Sequence, residues 1–231
     1  MGGREKMKKY IRTIAIVIQI LAIVGCGTEK PQQEVIEEQV MEQTQVETKT
    51  ISPLPVTIDM NRLDNCTVAV SFEEGDAYVD DTGIMRLDVT VYTYDLYDMI
   101  DISLLEEGDT IVIRNQEVPV TSLERNELGL VIINGGEENG GYDFYTDESG
   151  VYYEMGFSDA KAYYPLGEAT IRVSTDFEFI DSSDLEVGEK LFYPGDFLVE
   201  GAGIRYDFHA NNTTVVIEDG QIIAMNRVYT P

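Results

Sequence analysis

The chain has no tryptophan, one histidine and two cysteines in 231 residues, and only 16 lysines and arginines against 43 aspartates and glutamates. Each shortage excludes something. A lone imidazole, His209, cannot build a His-rich transition-metal centre. Cys26 and Cys66 cannot build a four-cysteine zinc site or a disulfide framework. A formal net charge of −27 leaves no basic face to displace counterions from phosphates, so nucleic acid is not an expected partner. Without tryptophan the strongest platform for stacking on sugars is missing. Gly-x-Gly-x-x-Gly, Gly-Lys-Ser/Thr and Gly-x-Ser-x-Gly patterns are absent as well, which removes the usual signatures of dinucleotide, phosphate-loop and serine-hydrolase chemistry.

What is present begins at the N-terminus. Arg4, Lys6, Lys8, Lys9 and Arg12 face one acid, Glu5, and Thr13 to Val24 is an apolar run interrupted only by Gln19. A basic end, a short apolar stretch and a small residue before a cleavage point describe an export signal, and the stretch falls short of the ~20 residues that span a bilayer. The ending Val24-Gly25-Cys26 resembles the lipobox of bacterial lipoproteins. The resemblance covers the signal alone. It implies that residues 1–25 are removed and that Cys26 carries a diacylglyceryl anchor with further acylation such as palmitate. The domain would then face the extracytoplasmic side of the cell membrane, with the lipid bilayer as its first partner. Two or more acyl chains suffice for stable attachment, at about 0.8 kcal/mol per buried methylene. Removing residues 1–25 takes away five bases and one acid, so the mature chain carries a net charge of −31.

Residues 26–55 read as a flexible acidic, Gln-rich tether, and residues 56–231 as the folded domain. From Val56 on, short β-type runs alternate with turn residues. Thr67–Phe72, Met85–Tyr94, Thr110–Ile113, Gly129–Ile133, Ala169–Val173, Thr213–Ile217 and Gln221–Tyr229 read as strands. Leu87, Val89 and Val91 alternate with Asp88, Thr90 and Tyr92, as in a half-buried strand. Asp219-Gly220 between two β-branched runs signals a tight hairpin, and Asp81-Thr82-Gly83 a similar turn. The expected class is all-β, sandwich or barrel-like. Ile100–Gly108 and Ile180–Gly188 match at six of nine positions. This suggests two copies of a small β-unit, about residues 83–134 and 167–228, sharing one core. A Gly/Tyr-rich insertion, residues 135–165, would separate them.

The candidate ligand residues lie in that insertion. Six of the fourteen tyrosines fall between Tyr142 and Tyr164, and Tyr142, Tyr145, Tyr152 and Tyr153 offer flat faces with hydroxyl edges for a peptide or glycan. The competing reading is β-strand packing, which also favours tyrosine. Glu137, Glu138, Asp143 and Asp147 are candidate calcium ligands, since hard cations take several oxygens, but they lack the spacing of a calcium loop. Asp81-Thr-Gly83 and Ser158-x-x-Lys161 resemble catalytic motifs without their required partners. His209 is expected to serve a structural hydrogen bond with Asp207, and Cys66 to be a small core residue. The leading expectation is a membrane-anchored envelope lipoprotein whose acidic β-domain binds or scaffolds an envelope protein, peptide or glycan. The alternative is an extracytoplasmic hydrolase of cell-wall polymer or peptide using paired carboxylates.

Overall fold

A computed structural model describes residues 48–146, 149–156 and 160–230. The signal, Cys26 and nearly all of the tether lie outside the described residues. Fifteen strands follow in chain order: β1 (Thr50–Ile51), β2 (Cys66–Ser71), β3 (Ala77–Val79), β4 (Met85–Thr93), β5 (Leu96–Asp98), β6 (Thr110–Ile113), β7 (Gln116–Pro119) and β8 (Leu123–Arg125), then β9 (Val131–Ile133), β10 (Tyr142–Thr146), β11 (Val151–Met155), β12 (Tyr164–Ser182), β13 (Lys190–Phe192), β14 (Thr213–Glu218) and β15 (Gln221–Val228). Among the described residues there are also one short helix, α1 (Met99–Ser103), and two 3-10 segments, Glu137–Asn139 and Pro194–Leu198. The class is all-β, as expected.

Five strands close on themselves. β2 pairs with β4, β4 with β12, β12 with β15, β15 with β14 and β14 with β2. Only β12–β15 is parallel. Numbered along the ring, the barrel runs first, second, third, fifth, fourth and back to first, the connectivity of OB-type Greek-key barrels. Closure depends on β12, which is 19 residues long. It meets β4 with its first half and β13 with its last residues. Register breaks at Pro165/Gly167 and between Val173 and Glu178 supply the bends that a closed sheet needs.

Alternation along β4 does what the pattern predicts: Leu87, Val89 and Val91 are buried while Asp88, Thr90 and Tyr92 face outward. Inside, Val68, Val70, Ile171, Val173, Val215, Ile217, Ile222 and Met225 join a cluster of phenylalanines. Phe197, from the second 3-10 segment, packs against Phe72, Phe177, Phe179 and Phe208 with ring centres 5.6–6.4 Å apart. Each such side chain contributes roughly 1.5–3 kcal/mol through burial. Asp219 and Gly220 both have positive φ, at 48° and 67°, which is the type I′ geometry that the β14–β15 hairpin requires.

Three expectations change. First, the core is not shared: a second cluster of Ile51, Tyr97, Ile102, Leu105, Ile111, Ile113, Val131, Ile133 and Phe144 fills a separate lobe. That lobe is formed by the chain between β4 and β12 together with β1. It carries the sheet β5-β11-β10-β9-β8, and its β6–β7 hairpin pairs with β1. The insertion within the barrel is therefore longer than residues 135–165. Second, the matching nonapeptides take different structures. Asp98 caps α1 by accepting from Ile100 N at 2.7 Å, and Ile102 turns into the second core. Ile180 and Asp181 instead continue β12. Third, the fold begins before Val56. Ile51 is 4% exposed, β1 runs parallel to β6, and Leu54 N donates to Leu96 O at 2.6 Å. The Gly-rich start of the expected insertion, Asn134 to Gly141, is a tightly bonded turn. Asn134 Oδ1 accepts from Thr121 N and Oγ1 at 2.8 and 2.9 Å. A Cβ on Gly141 would lie 2.1 Å from Ile133 O.

Candidate functional site

Two solvent-open grooves flank the loop Phe72–Ala77. The first lies on the outer face of β4 and β12 and holds about 550 Å³; Asp88, Thr90, Glu168 and Thr170 project into it from the strands, and Glu73 and Asp76 from the loop. These residues face outward because their neighbours Leu87, Val89 and Ile171 face the barrel core. Thr170 Oγ1 donates to Asp88 Oδ1 at 2.6 Å, and Glu73 N donates to Asp76 Oδ2 at 2.7 Å. The groove lining has four carboxylates and no lysine or arginine.

The second groove, about 930 Å³, runs between β3 and residues 196–206. Its rim carries Glu74, Asp196 and Glu200, again with no base. Its walls include Tyr78, Val79, Leu198 and Val199, all exposed, with Val199 at 62%. Phe197 anchors this wall to the barrel core, and Asp196 Oδ2 fixes the turn by accepting from Tyr193 N at 2.7 Å. Burial, with Glu74 nearby, pushes the Tyr206 phenol up from its ordinary value.

Buried carboxylates form a different group, and each is already served. Arg114 clamps Glu154, with Nε to Oε2 at 3.0 Å and Nη2 to Oε1 at 2.6 Å. Its backbone N donates to Asp95 Oδ2 at 2.6 Å, and Tyr164 Oη donates to Asp95 Oδ1 at 2.7 Å. Asp95 and Glu154 are 4% and 5% exposed. Burial raises the Glu154 carboxyl above its ordinary value although Arg114 pulls it down. Burial and the Asp95 bond push Tyr164 up to about 12. This network ties β4–β5, the β6–β7 turn, β11 and β12 into one frame.

The four candidate tyrosines separate into two pairs. Tyr142 and Tyr152 pack against the second core. Tyr145 and Tyr153 are cross-strand partners on the opposite face of the β10–β11 hairpin, with ring centres 6.2 Å apart. There they join Tyr94 and Tyr163, and Lys161 closes the group: its Nζ donates to Tyr94 Oη at 2.7 Å and sits 5.1 Å from the Tyr153 ring. The pleat alone separates the pairs, because residues 142 and 144 share one face and 143 and 145 the other.

Of the calcium candidates, Glu137 and Glu138 lie exposed on a 3-10 turn, and Asp143 Oδ2 accepts weakly from Glu137 N at 3.4 Å. Asp147 lies outside the described residues. Among the described residues no three His, Cys, Asp or Glu side chains gather closely enough to hold a metal. Asp81-Thr-Gly83 is a turn governed by Asp80, whose Oδ1 accepts from Thr82 Oγ1 at 2.6 Å and from Ile84 N at 3.0 Å. These bonds, with Arg86, hold Asp80 well below the usual carboxylate range. Cys66 packs against the barrel core, and burial raises its thiol. Asp207 lies 3.9 Å from Arg205 rather than serving His209. Ser158 lies outside the described residues.

The groove residues were not singled out from sequence. A signal existed: Asp88 and Thr90 are the polar half of the clearest alternating strand in the chain. Only closure of the barrel sets Glu168 and Thr170 beside them.

No protein-family model, no curated protein and no solved structure matches the chain.

Proposed function

We propose that this chain is an exported, lipid-anchored envelope protein whose acidic β-domain binds cationic groups of an extracytoplasmic partner. The order of basic end, apolar run and Val24-Gly25-Cys26 supports the anchor. The observation that carries the binding half is the lining of the two grooves: both are open to solvent, both carry carboxylates, and neither has a base. In the first groove the acids stand beside the hydroxyls of Ser71, Thr90 and Thr170, a surface that suits an amine-bearing peptide or glycan. The outer face of the second and third strands is also where OB-type barrels take ligands, which is a likeness of architecture only. A carboxylate-pair hydrolase draws no support from the Asp95–Glu154 network, because both groups are buried and fully engaged.

Membrane fractionation of Cys26→Ala tests the anchor; the variant is expected in the soluble or secreted fraction, and unchanged sedimentation with the membrane refutes it. Calorimetry with hexalysine at low ionic strength tests the binding. An Asp88→Asn/Glu168→Gln variant is expected to lose at least threefold in affinity, and unaltered affinity removes this groove as the site.

A further inference from the structure

The exposed edge of β3 opens onto the second groove. Asp80 N donates to Ile84 O and Asp88 N to Asp76 O, and Tyr78 stands opposite Arg86. In an antiparallel ladder hydrogen-bonded and non-bonded pairs alternate. Residues 76, 78 and 80 therefore turn their main-chain groups toward β4, and Ala77 and Val79 turn theirs away from it. Among the described residues no backbone hydrogen bond joins that outward side to residues 196–206 across the groove. An unpaired edge beside exposed apolar side chains is a template for another strand.

We propose that the groove between β3 and residues 196–206 receives an extended peptide strand, bearing alternating basic and apolar side chains, from another protein. This rests on the binding reading above and names the site and class of partner. Main-chain groups of Ala77 and Val79 pair with the incoming backbone. Alternate side chains meet the apolar wall of Leu198, Val199 and Tyr206 and the acidic rim of Glu74, Asp196 and Glu200. Charge decides the occupant. A second copy brings another chain of net −27 to a rim of three carboxylates. The chain's own Gly27–Thr48 carries six glutamates and one lysine and is repelled in the same way. A basic strand is attracted, and its cations remain at the rim in water while its apolar residues are buried.

The test uses the full-length chain in non-ionic detergent and two fluorescein-labelled octapeptides, (Lys-Val)4 and the same sequence N-methylated at every second residue. The pair keeps charge and side chains but removes one hydrogen-bonding edge. The plain peptide is expected to bind at least tenfold more tightly. Val79→Pro is expected to weaken it several-fold, because its nitrogen faces the groove and not β4. Val199→Lys, an exposed position with no share in the core, gives a second variant with the same expectation should Val79→Pro fail to fold. Equal affinity for both peptides, abolished by salt, overturns strand addition and leaves the cation-binding reading standing. Binding of neither overturns both.

Discussion

Asp181 and Arg227 meet side by side between β12 and β15: Arg227 Nε donates to Asp181 Oδ1 at 3.0 Å and Nη2 donates to Oδ2. The guanidinium is 1% exposed, sits 4.4 Å from the Phe208 ring and 5.4 Å from the Phe179 ring, and donates through Nη1 to Arg205 O. All of its polar partners are thus inside the protein. Removing one member strands the other in a low-dielectric site, a loss of about 3–5 kcal/mol. Arg227→Met is expected to destabilise by this amount in urea titration. The double variant Asp181→Leu/Arg227→Met is expected to recover most of it, since a well-packed apolar pair avoids the desolvation cost. Equal losses in the single and double variants would contradict this account.

The same pair sets a pH dependence. Burial pushes the Asp181 carboxyl up, but bonds from Arg227 and Ser183 outweigh it and hold it at about 2. The unfolded chain takes up its proton near the ordinary value of about 3.9. A lowered folded value means that the pair's contribution is complete above about pH 5 and disappears as pH falls from there toward 2. Glu154 has the opposite sign. Its raised value means that the folded state holds its proton more tightly, so this group favours folding more as pH falls. Asp181→Asn is therefore expected to flatten the loss of stability between about pH 5 and 2, and Glu154→Gln to steepen the net loss on acidification. Chemical denaturation at a series of pH values measures both slopes.

Arg114 and Glu154 test whether the second lobe depends on its polar frame. Arg114→Met leaves a nearly buried carboxylate without its bidentate partner, whereas Glu154→Gln keeps an acceptor for the guanidinium. The arginine substitution is expected to cost at least about 2 kcal/mol more than the glutamate one, because an unpaired buried charge is costlier than a neutral amide. Denaturant midpoints measure the difference, and equal midpoints would show that the carboxylate finds water.

Sequence patterning made most of the barrel strands legible, with β6 and β9 of the second lobe, but not the lobe as a separate unit. β4 could be read because one face meets core and the other water, and the β14–β15 turn because Asp219-Gly220 supplies positive φ. Two hydrophobic clusters could not be told from one, since periodicity reports which residues are buried and not against what. The Ile100 and Ile180 segments misled for a related reason. Six shared residues do not specify helix or strand when Asp98 caps one segment and Arg227 holds the other. The tyrosines were legible as a concentration, but their division into core and surface pairs needed the register of β10 on β11. Both grooves escaped because each is assembled from segments far apart in sequence.

That division of tyrosines has its own consequence. Tyr152→Ser removes a half-buried ring that packs against the second core and is expected to destabilise by about 2 kcal/mol, at the low end of large-to-small core changes. Tyr145→Ser removes a ring that is 39% exposed and is expected to cost under about 1 kcal/mol, roughly an aromatic pair's contribution. Thermal melts of the two variants are expected to separate clearly.

The N-terminal boundary gives the last prediction. Lys49 N donates to Asp109 Oδ1 at 3.0 Å, Thr110 N donates to Lys49 O at 2.9 Å, and Lys49 Nζ lies 3.6 Å from Asp109 Oδ2. These bonds, with one from Glu106 N, hold the Asp109 carboxyl below its ordinary value despite burial. Ile51 adds its side chain to the second core. A fragment starting at Val56 loses all of this, leaving Asp109 with fewer donors and the edge of β6 unpaired. Burial of Ile51 alone is worth about 1.5–3 kcal/mol, and each backbone bond adds about 1 kcal/mol. With the two backbone bonds of Lys49 the loss is about 3.5–5 kcal/mol, so the fragment 56–231 is expected to melt roughly 7–20 °C below the fragment 46–231, at about 2–4 °C per kcal/mol for a domain of this size. The difference is expected to lie in the second lobe. Hydrogen exchange should accelerate at Ile111 and Ile113 before it does at Val215 and Ile217 in the barrel. Identical melting of the two fragments would place the start of the fold after β1.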